Sequence, residues 1–328
     1  MGVSIRISVI ICTYNRALTL KDTIQSLVVQ TLPEPVNWEI LVVDNNSTDG
    51  TRLTVEDFQR RYPERIRYVF ELQQGVSFAR NAGIRESRGE IVAFIDDDET
   101  AEEGWLQNLT ANLYSGEWAG AGGRVLPPMS FSCPRWLSSK DPFSNGPLAT
   151  FDKGLEAGQL HDPPFGANMA FRKEMFERYG GFRTDLGRSG NGVLSNEDTE
   201  FGRRLFAAGQ RVRYEPAALT FHPVEANRLH KRYFLTWWFA KGRSDIKELG
   251  LQPNHKILFG IPFRMLYDIT VEVVRWIVIP TPSKRFLSKM KVWAYAGQSF
   301  EQFHQWKETK RKGSVNSSKS QPRIQIGE

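Results

Sequence analysis

The chain has 328 residues, 40% hydrophobic and 24% charged, a globular composition that excludes wholesale disorder. At roughly 150 residues per domain it has room for two domains, or one with an extension. Its two cysteines, Cys12 and Cys133, exclude a disulfide framework and a four-cysteine zinc site and fit a reducing compartment. The net charge of +6 divides into −5 for residues 1–222 and +11 for residues 223–328, so the two parts are expected to do different work. Neither a signal-peptide core nor a run of about 20 apolar residues is seen, which predicts a cytoplasmic chain, or one peripheral on the cytoplasmic face of a membrane.

The first hundred residues alternate in type. Ile7–Cys12 is a short β-branched apolar run that predicts a buried strand, and Leu18–Gln30 carries apolar residues at helical spacing. Glu39–Val43 is a second strand, ending at Asp44, and Thr51–Tyr62 a second helix. Ile66–Leu72, Val76–Ser87 and Glu90–Ile95 continue as strand, helix and strand, the last running into Asp96-Asp97-Asp98. This order predicts an α/β fold with a Rossmann-like, mostly parallel sheet flanked by helices, and a ligand site beyond the carboxyl ends of its strands. The first turn, Thr13-Tyr14-Asn15-Arg16, contains no glycine, which excludes the usual dinucleotide fingerprint. Gly120-Ala121-Gly122-Gly123 is glycine-rich but precedes no helical pattern.

Residues 127–164 are rich in Pro, Ser and Gly and read as long loops. Phe165–Phe171 reads as a strand, Arg172–Tyr179 as a short helix, Gly187–Gly192 as a flexible loop, Thr199–Ala208 as a helix and Val212–His222 as a strand. After His222 the character changes. Five of the nine tryptophans lie there. Between Ile257 and Ile279, Arg264, Asp268, Glu272 and Arg275 fall on one helical face, with apolar residues on the other. Residues 223–310 therefore read as a basic, Trp-rich helical extension and 311–328 as a disordered tail.

The aspartate triplet carries the strongest chemical signal. On an extended backbone Asp96 and Asp98 share a face, roughly 6–7 Å apart, and repel by about 2–3 kcal/mol at an effective dielectric of 20. Asp97 and Glu99 add to the crowding. A divalent cation with hard oxygen ligands, Mg²⁺ or Mn²⁺, is the simplest compensation; a solvated acidic loop is the plainer reading. His222, at the end of a strand, could complete an Asp/Asp/His site or be structural. Glu197-Asp198 opens a helix, where Asp198 is a candidate general base; Ser195-Asn196-Glu197-Asp198 also fits a helix-capping box. Asp44 could accept a hydrogen bond from a pyrimidine base or simply close a turn. Arg80 is a surface cation or a phosphate partner.

These segments resemble family 2 glycosyltransferases of the GT-A fold. The match runs in order through Ser8–Arg16, Val42–Thr51, Ala79–Gly83, Phe94–Asp98, Gly166–Ala170, Gly180–Phe182, Asn196–Asp198 and Phe221–His222, and delimits a catalytic domain over residues 1–222. The resemblance implies inverting transfer from a nucleotide-diphosphate sugar, of UDP type, to a carbohydrate or lipid-linked acceptor in cell-envelope polysaccharide synthesis. It assigns Thr13, Asn15, Asp44 and Arg80 to the nucleotide. Asp96 and Asp98 form its DXD motif, which holds Mn²⁺ or Mg²⁺ and the ribose–diphosphate; Asp96 and Asp97 are thereby nucleotide-sugar-binding, and His222 is a further metal ligand. Asp198 becomes the base, with Glu197 beside it. Processive members carry Q-x-x-R-W; here Arg232-Tyr233 is followed by Trp237-Trp238 without that motif, which implies one sugar added per encounter.

The extension fits either an anionic membrane surface or a packing face, including one for a homodimer. A sugar nucleotidyltransferase is the rival enzyme, and a non-catalytic nucleotide- or carbohydrate-binding protein the rival from another class. A nucleic-acid partner is not expected, because residues 1–222 are acidic.

Overall fold

The computed structural model describes residues 5–34, 36–138, 141–189, 194–250 and 257–318. They divide into two compact units, Met1–Pro134 with Ser138–His230, and Arg135–Leu137 with Lys231–Glu328. The division falls after His230 rather than after His222, because residues that contact the site lie in the segment between them.

In the first unit the chain runs β1 (Ile5–Thr13), α1 (Thr19–Val28), β2 (Asn37–Asp44), α2 (Thr51–Arg61), β3 (Ile66–Phe70), α3 (Val76–Glu86) and β4 (Ile91–Asp96), as the alternating pattern predicts. Then come β5 (Thr100–Ala101), α4 (Trp105–Thr110), β6 (Gly120–Leu126), α5 (Pro142–Leu148), β7 (Gly158–Gln159), β8 (Asn168–Arg172), α6 (Lys173–Tyr179), α7 (Glu197–Ala207) and β9 (Val212–Phe221). The sheet order is β3-β2-β1-β4-β8-β6-β9-β5, with β7 paired to β9. β3, β2, β1 and β4 are mutually parallel, β8 is antiparallel to both β4 and β6, and β6 is parallel to β9.

Both faces of the sheet are covered, which explains why its strands read as continuous apolar runs. Ile7, Val9 and Ile11 pack against Leu20, Ile24 and Leu27 of α1 and Trp105 of α4. Ile10, one residue out of phase, faces Ala79 and Ala82 of α3 on the other side. That second core is dense in phenylalanine, with Phe176 stacked on Phe201 at 4.5 Å between ring centres.

Two segments differ from the sequence reading. Gly120–Gly123, to which the sequence pattern assigns no element, is the start of β6; a Cβ on Gly123 would strike the Ala218 carbonyl and the Asn168 side chain. Here glycine buys close approach between strands rather than flexibility. The Pro-rich stretch 127–164 contains α5, capped by the Asp141 carboxylate, which accepts from the Phe143 N–H at 2.9 Å.

The second unit holds α8 (Lys231–Leu249), a small hairpin of β10 (Ile257–Leu258) and β11 (Ile261–Pro262), α9 (Phe263–Val278) and α10 (Pro282–Ser318). Pro262 stands just before α9, at a position that needs no backbone donor. The expected disordered tail is helical as far as Ser318, and residues 319–328 lie outside the described residues. No helix among the described residues is long and apolar enough to cross a membrane.

Candidate active site

Polar groups gather where β1, β2 and β4 end. β4 stops at Asp96, and the chain turns at once, with the Glu99 N–H donating to the Asp96 carbonyl at 3.3 Å. The extended spacing assumed for Asp96 and Asp98 therefore does not hold, and the two carboxylates meet different partners. Asp96 is 43% exposed and lies 3.6 Å from Arg80 Nη2. Asp98 is 8% exposed and is surrounded by Arg16 Nη1 at 3.1 Å, His222 Nε2 at 3.4 Å and Arg228 Nη2 at 3.7 Å. Three arginines thus supply compensation that the spacing argument assigned to a cation alone. The predicted ligands Asp96, Asp98 and His222 do not form a ready triad: among the described residues no three His, Cys, Asp or Glu side chains gather as a metal site. Asp98 and His222 are the pair that meets.

That pair suits a divalent ion. Two ligands at right angles around Mg²⁺ or Mn²⁺ lie roughly 3 Å apart, close to the separation of Asp98 Oδ1 and His222 Nε2. His222 Nδ1 lies 2.9 Å from the Pro223 carbonyl, which fixes a proton on Nδ1 and leaves the Nε2 lone pair directed into the site. Arg228 Nη1 donates toward that lone pair at 3.3 Å. Burial is the main cause holding His222 below the ordinary histidine pKa, with Asp98 opposing and Arg228 assisting, so the ring is neutral, as a ligand must be.

Beneath this turn Glu99 is fully buried, and neither carboxyl oxygen has a hydrogen-bond partner. The Thr220 hydroxyl is near but outside hydrogen-bond geometry. Burial first, then the charges of Asp96 and Asp98, push its pKa well above the usual carboxyl value, so Glu99 is a neutral acid and does not add to the charge crowding.

α7 delivers the candidate base. Asn196 precedes the helix with φ of +84° and makes no side-chain cap, so the expected capping box does not form. Asp198 Oδ2 accepts from the Gly166 N–H at 2.7 Å, and Oδ1 accepts from the Thr199 N–H at 2.7 Å. Glu197 is placed differently from the reading that made it catalytic. It is buried, and its Oε1 lies 2.6 Å from Arg80 Nη1. Arg80 is not a surface cation. It is 4% exposed, donates to the Gly166 carbonyl at 3.2 Å, and lies 5.5 Å from the centre of the Phe182 ring. One guanidinium thus ties Asp96, Gly166 and Glu197 together.

A cavity of about 300 Å³ opens beside the triplet, with Cys12, Thr13, Asn45, Gly75, Asp97 and Arg188 among its walls. Thr13 has a buried hydroxyl without a hydrogen-bond partner; Asp97 is close but outside bonding geometry. Burial, then Asp98, pushes Asp97 up to about 7. Cys12 is a protonated thiol, pushed up to about 12 by burial. Asn45 shapes the rim: its Oδ1 accepts from the Gly75 N–H and its Nδ2 donates to the Gln73 carbonyl, both at 2.7 Å. Asp44 is not a wall. It is 2% exposed, accepting from the Tyr68 hydroxyl at 2.8 Å and the Ser47 N–H at 2.9 Å. Asn15 is exposed, with φ of +52°, and its Oδ1 accepts from the Thr48 N–H at 2.7 Å, joining the turns after β1 and β2.

Sequence reasoning missed Arg16, Arg188 and Arg228. Arg16 and Arg188 sit in loops and Arg228 in a short 3-10 helix, places where an arginine reads as a surface charge. Arg188 lies in the glycine-rich loop, its carbonyl fixed by the Val76 N–H at 2.8 Å, and its charge acts on Asp96.

The fold and the acidic turn at the end of β4 define an α/β enzyme of the GT-A-like type. The chain matches the "Glycosyl transferase family 2" model over residues 8–180. It is 31% identical over 242 residues to the succinoglycan biosynthesis protein ExoM of Rhizobium meliloti, covering 73% of this chain and 72% of that one. It is 28% identical over 248 residues to the glucosyl-dolichyl phosphate glucuronosyltransferase of Haloferax volcanii, covering 73% and 76%. A mannosyltransferase from Pyrobaculum calidifontis, solved with GDP-Man and Mn²⁺, shares the fold with a TM-score of 0.55 at 19% identity, over 96% of this chain and 81% of that one. The chain belongs to glycosyltransferase family 2 and is a glycosyltransferase.

Proposed function

We propose that the protein moves one glycosyl residue from a nucleotide-diphosphate sugar to an acceptor hydroxyl, with inversion at the anomeric carbon, in the assembly of a cell-envelope glycan. The observation that carries this reading is the Arg80 bridge, which holds Asp96 and the start of α7 in one site. The acid turn and the candidate base are thereby fixed against each other. The relatives are named for succinoglycan synthesis and for a dolichyl-phosphate glycan, which supports a glycan or lipid-linked acceptor. The Pyrobaculum enzyme was solved with GDP-Man, so GDP- as well as UDP-sugars belong among the donors to test.

In this reading the cavity beside Thr13 and Asn45 takes the nucleoside, and Arg188 and Arg16 face the diphosphate. Asp98 and His222 would hold Mn²⁺ or Mg²⁺, with Asp96 alongside; such an ion supplies positive charge against the departing diphosphate. Asp198 removes the proton from the acceptor hydroxyl on the ring face opposite the leaving group. The logic is that of inverting glycoside hydrolysis, with an acceptor in place of water. Glu197, held by Arg80, orients the helix that carries Asp198. Addition of a single sugar is supported by the sequence after Arg232-Tyr233, which departs from the processive motif.

Asp198→Asn should lower transfer by about 10²–10⁴-fold, the usual worth of a positioned base. Binding of Mn²⁺ and nucleoside diphosphate, read by calorimetry, should stay within a few-fold of wild type. Near-normal transfer by purified Asp198→Asn would remove the base assignment.

A further inference from the structure

Helix α9 shows its faces the opposite way round from a helix on a water-soluble surface. At 100° per residue, Phe263, Tyr267, Thr270, Val274, Ile277 and Val278 fall within an arc of about 100°. Tyr267, Ile277 and Val278 are 68%, 74% and 68% exposed, and Phe263 and Val274 are also exposed. The acidic residue opposite this arc is the buried one: Glu272 is 6% exposed, with Arg275 Nη1 at 2.8 Å and Lys291 Nζ at 3.7 Å. The sequence pattern separates the two faces and leaves open whether the apolar one is packed or exposed. Here Glu272 turns inward, while the apolar stripe faces out with Arg264 and Arg275 exposed at its side. Among the described residues, nothing covers it.

We propose that this stripe docks onto an anionic membrane surface, with α9 lying in the interface plane. The charge around it selects that partner. Arg264 and Arg275, both exposed, flank the stripe on one side, and Lys284 and Arg285 follow at the start of α10, exposed as well. Residues 223–328 carry +11 in all. A second copy of the chain would bring the same positive charge to the same face, whereas acidic headgroups neutralise it while the acyl region takes the apolar side chains. Tyr267, on the stripe, adds an amphipathic ring of the kind that settles at a headgroup boundary. The proposal stands apart from the catalytic reading, since none of these residues belongs to the site at the end of β4.

Flotation of the full-length protein with vesicles tests it. Wild type should float with phosphatidylcholine vesicles containing phosphatidylglycerol, much less with phosphatidylcholine alone, and less as salt rises. Val274→Asp/Ile277→Asp should reduce the floated fraction at least tenfold while keeping the wild-type melting curve, since both side chains are exposed. Phe263→Ser/Tyr267→Ser, which removes a different pair of anchors, should do the same. Wild type that stays dense with anionic vesicles overturns the proposal, and so does equal flotation of wild type and both variants. A wild-type dimer in the absence of vesicles that the Asp variant converts to monomer would assign the face to a second copy and also overturn it.

Discussion

Arg80 decides whether the site holds together. Its guanidinium is buried with Glu197 at 2.6 Å and Asp96 at 3.6 Å. Removing one partner of a buried pair leaves a charge in a medium that cannot solvate it, at a cost of about 3–5 kcal/mol. Arg80→Met should therefore lower the melting temperature by several degrees. Arg80→Met/Glu197→Met should regain much of that loss, because the second charge goes too, yet transfer should stay impaired because Asp96 has lost its counter-ion. Calorimetric melting with parallel transfer assays checks both arms; a double variant as active as wild type would contradict the bridging role. The sequence showed the acidic triplet, Asp198 and His222, whose types and positions in the strand pattern carry information by themselves. It did not show that Arg80 is buried, since only the folded chain brings residues 80, 96, 166 and 197 together.

At the scale of elements, alternating strand and helix patterns made β1 to β4 legible, because strands covered on both faces must be apolar throughout. β6 was hidden. A strand that begins Gly120-Ala121-Gly122-Gly123 lacks the β-branched signature, and its glycines answer to Phe171, Asn168 and Ala218, which are distant in sequence. A similar device joins α8 to α10. A Cβ on Gly297 would overlap the Phe239 carbonyl, and one on Gly242 the Ala294 carbonyl, so the helices touch backbone to backbone. Gly297→Ala must push them apart, an overpacking cost of about 1–3 kcal/mol. The expected result is a lower melting temperature, with nucleotide binding kept below the transition. A melting curve unchanged by the substitution would show that the helices can part freely.

For the whole molecule, the charge asymmetry proved the most informative coarse signal. It separates an acidic part from a basic, helical one; the compact units divide after His230, and Glu225 and Arg228, in the first unit, contact Arg16, Asp98 and His222. Composition cannot detect such local contacts. The central claim is that the turn after β4, with His222, grips a nucleotide diphosphate through a divalent ion. Isothermal titration of Mn²⁺ with UDP and with GDP into wild type, Asp98→Asn and His222→Gln tests it most directly. Wild type should bind at least one nucleotide in a Mn²⁺-dependent manner, and each substitution should weaken that binding by about 10-fold or more, as loss of a ligand does. Affinities equal in all three proteins, or undiminished by EDTA, would contradict the claim.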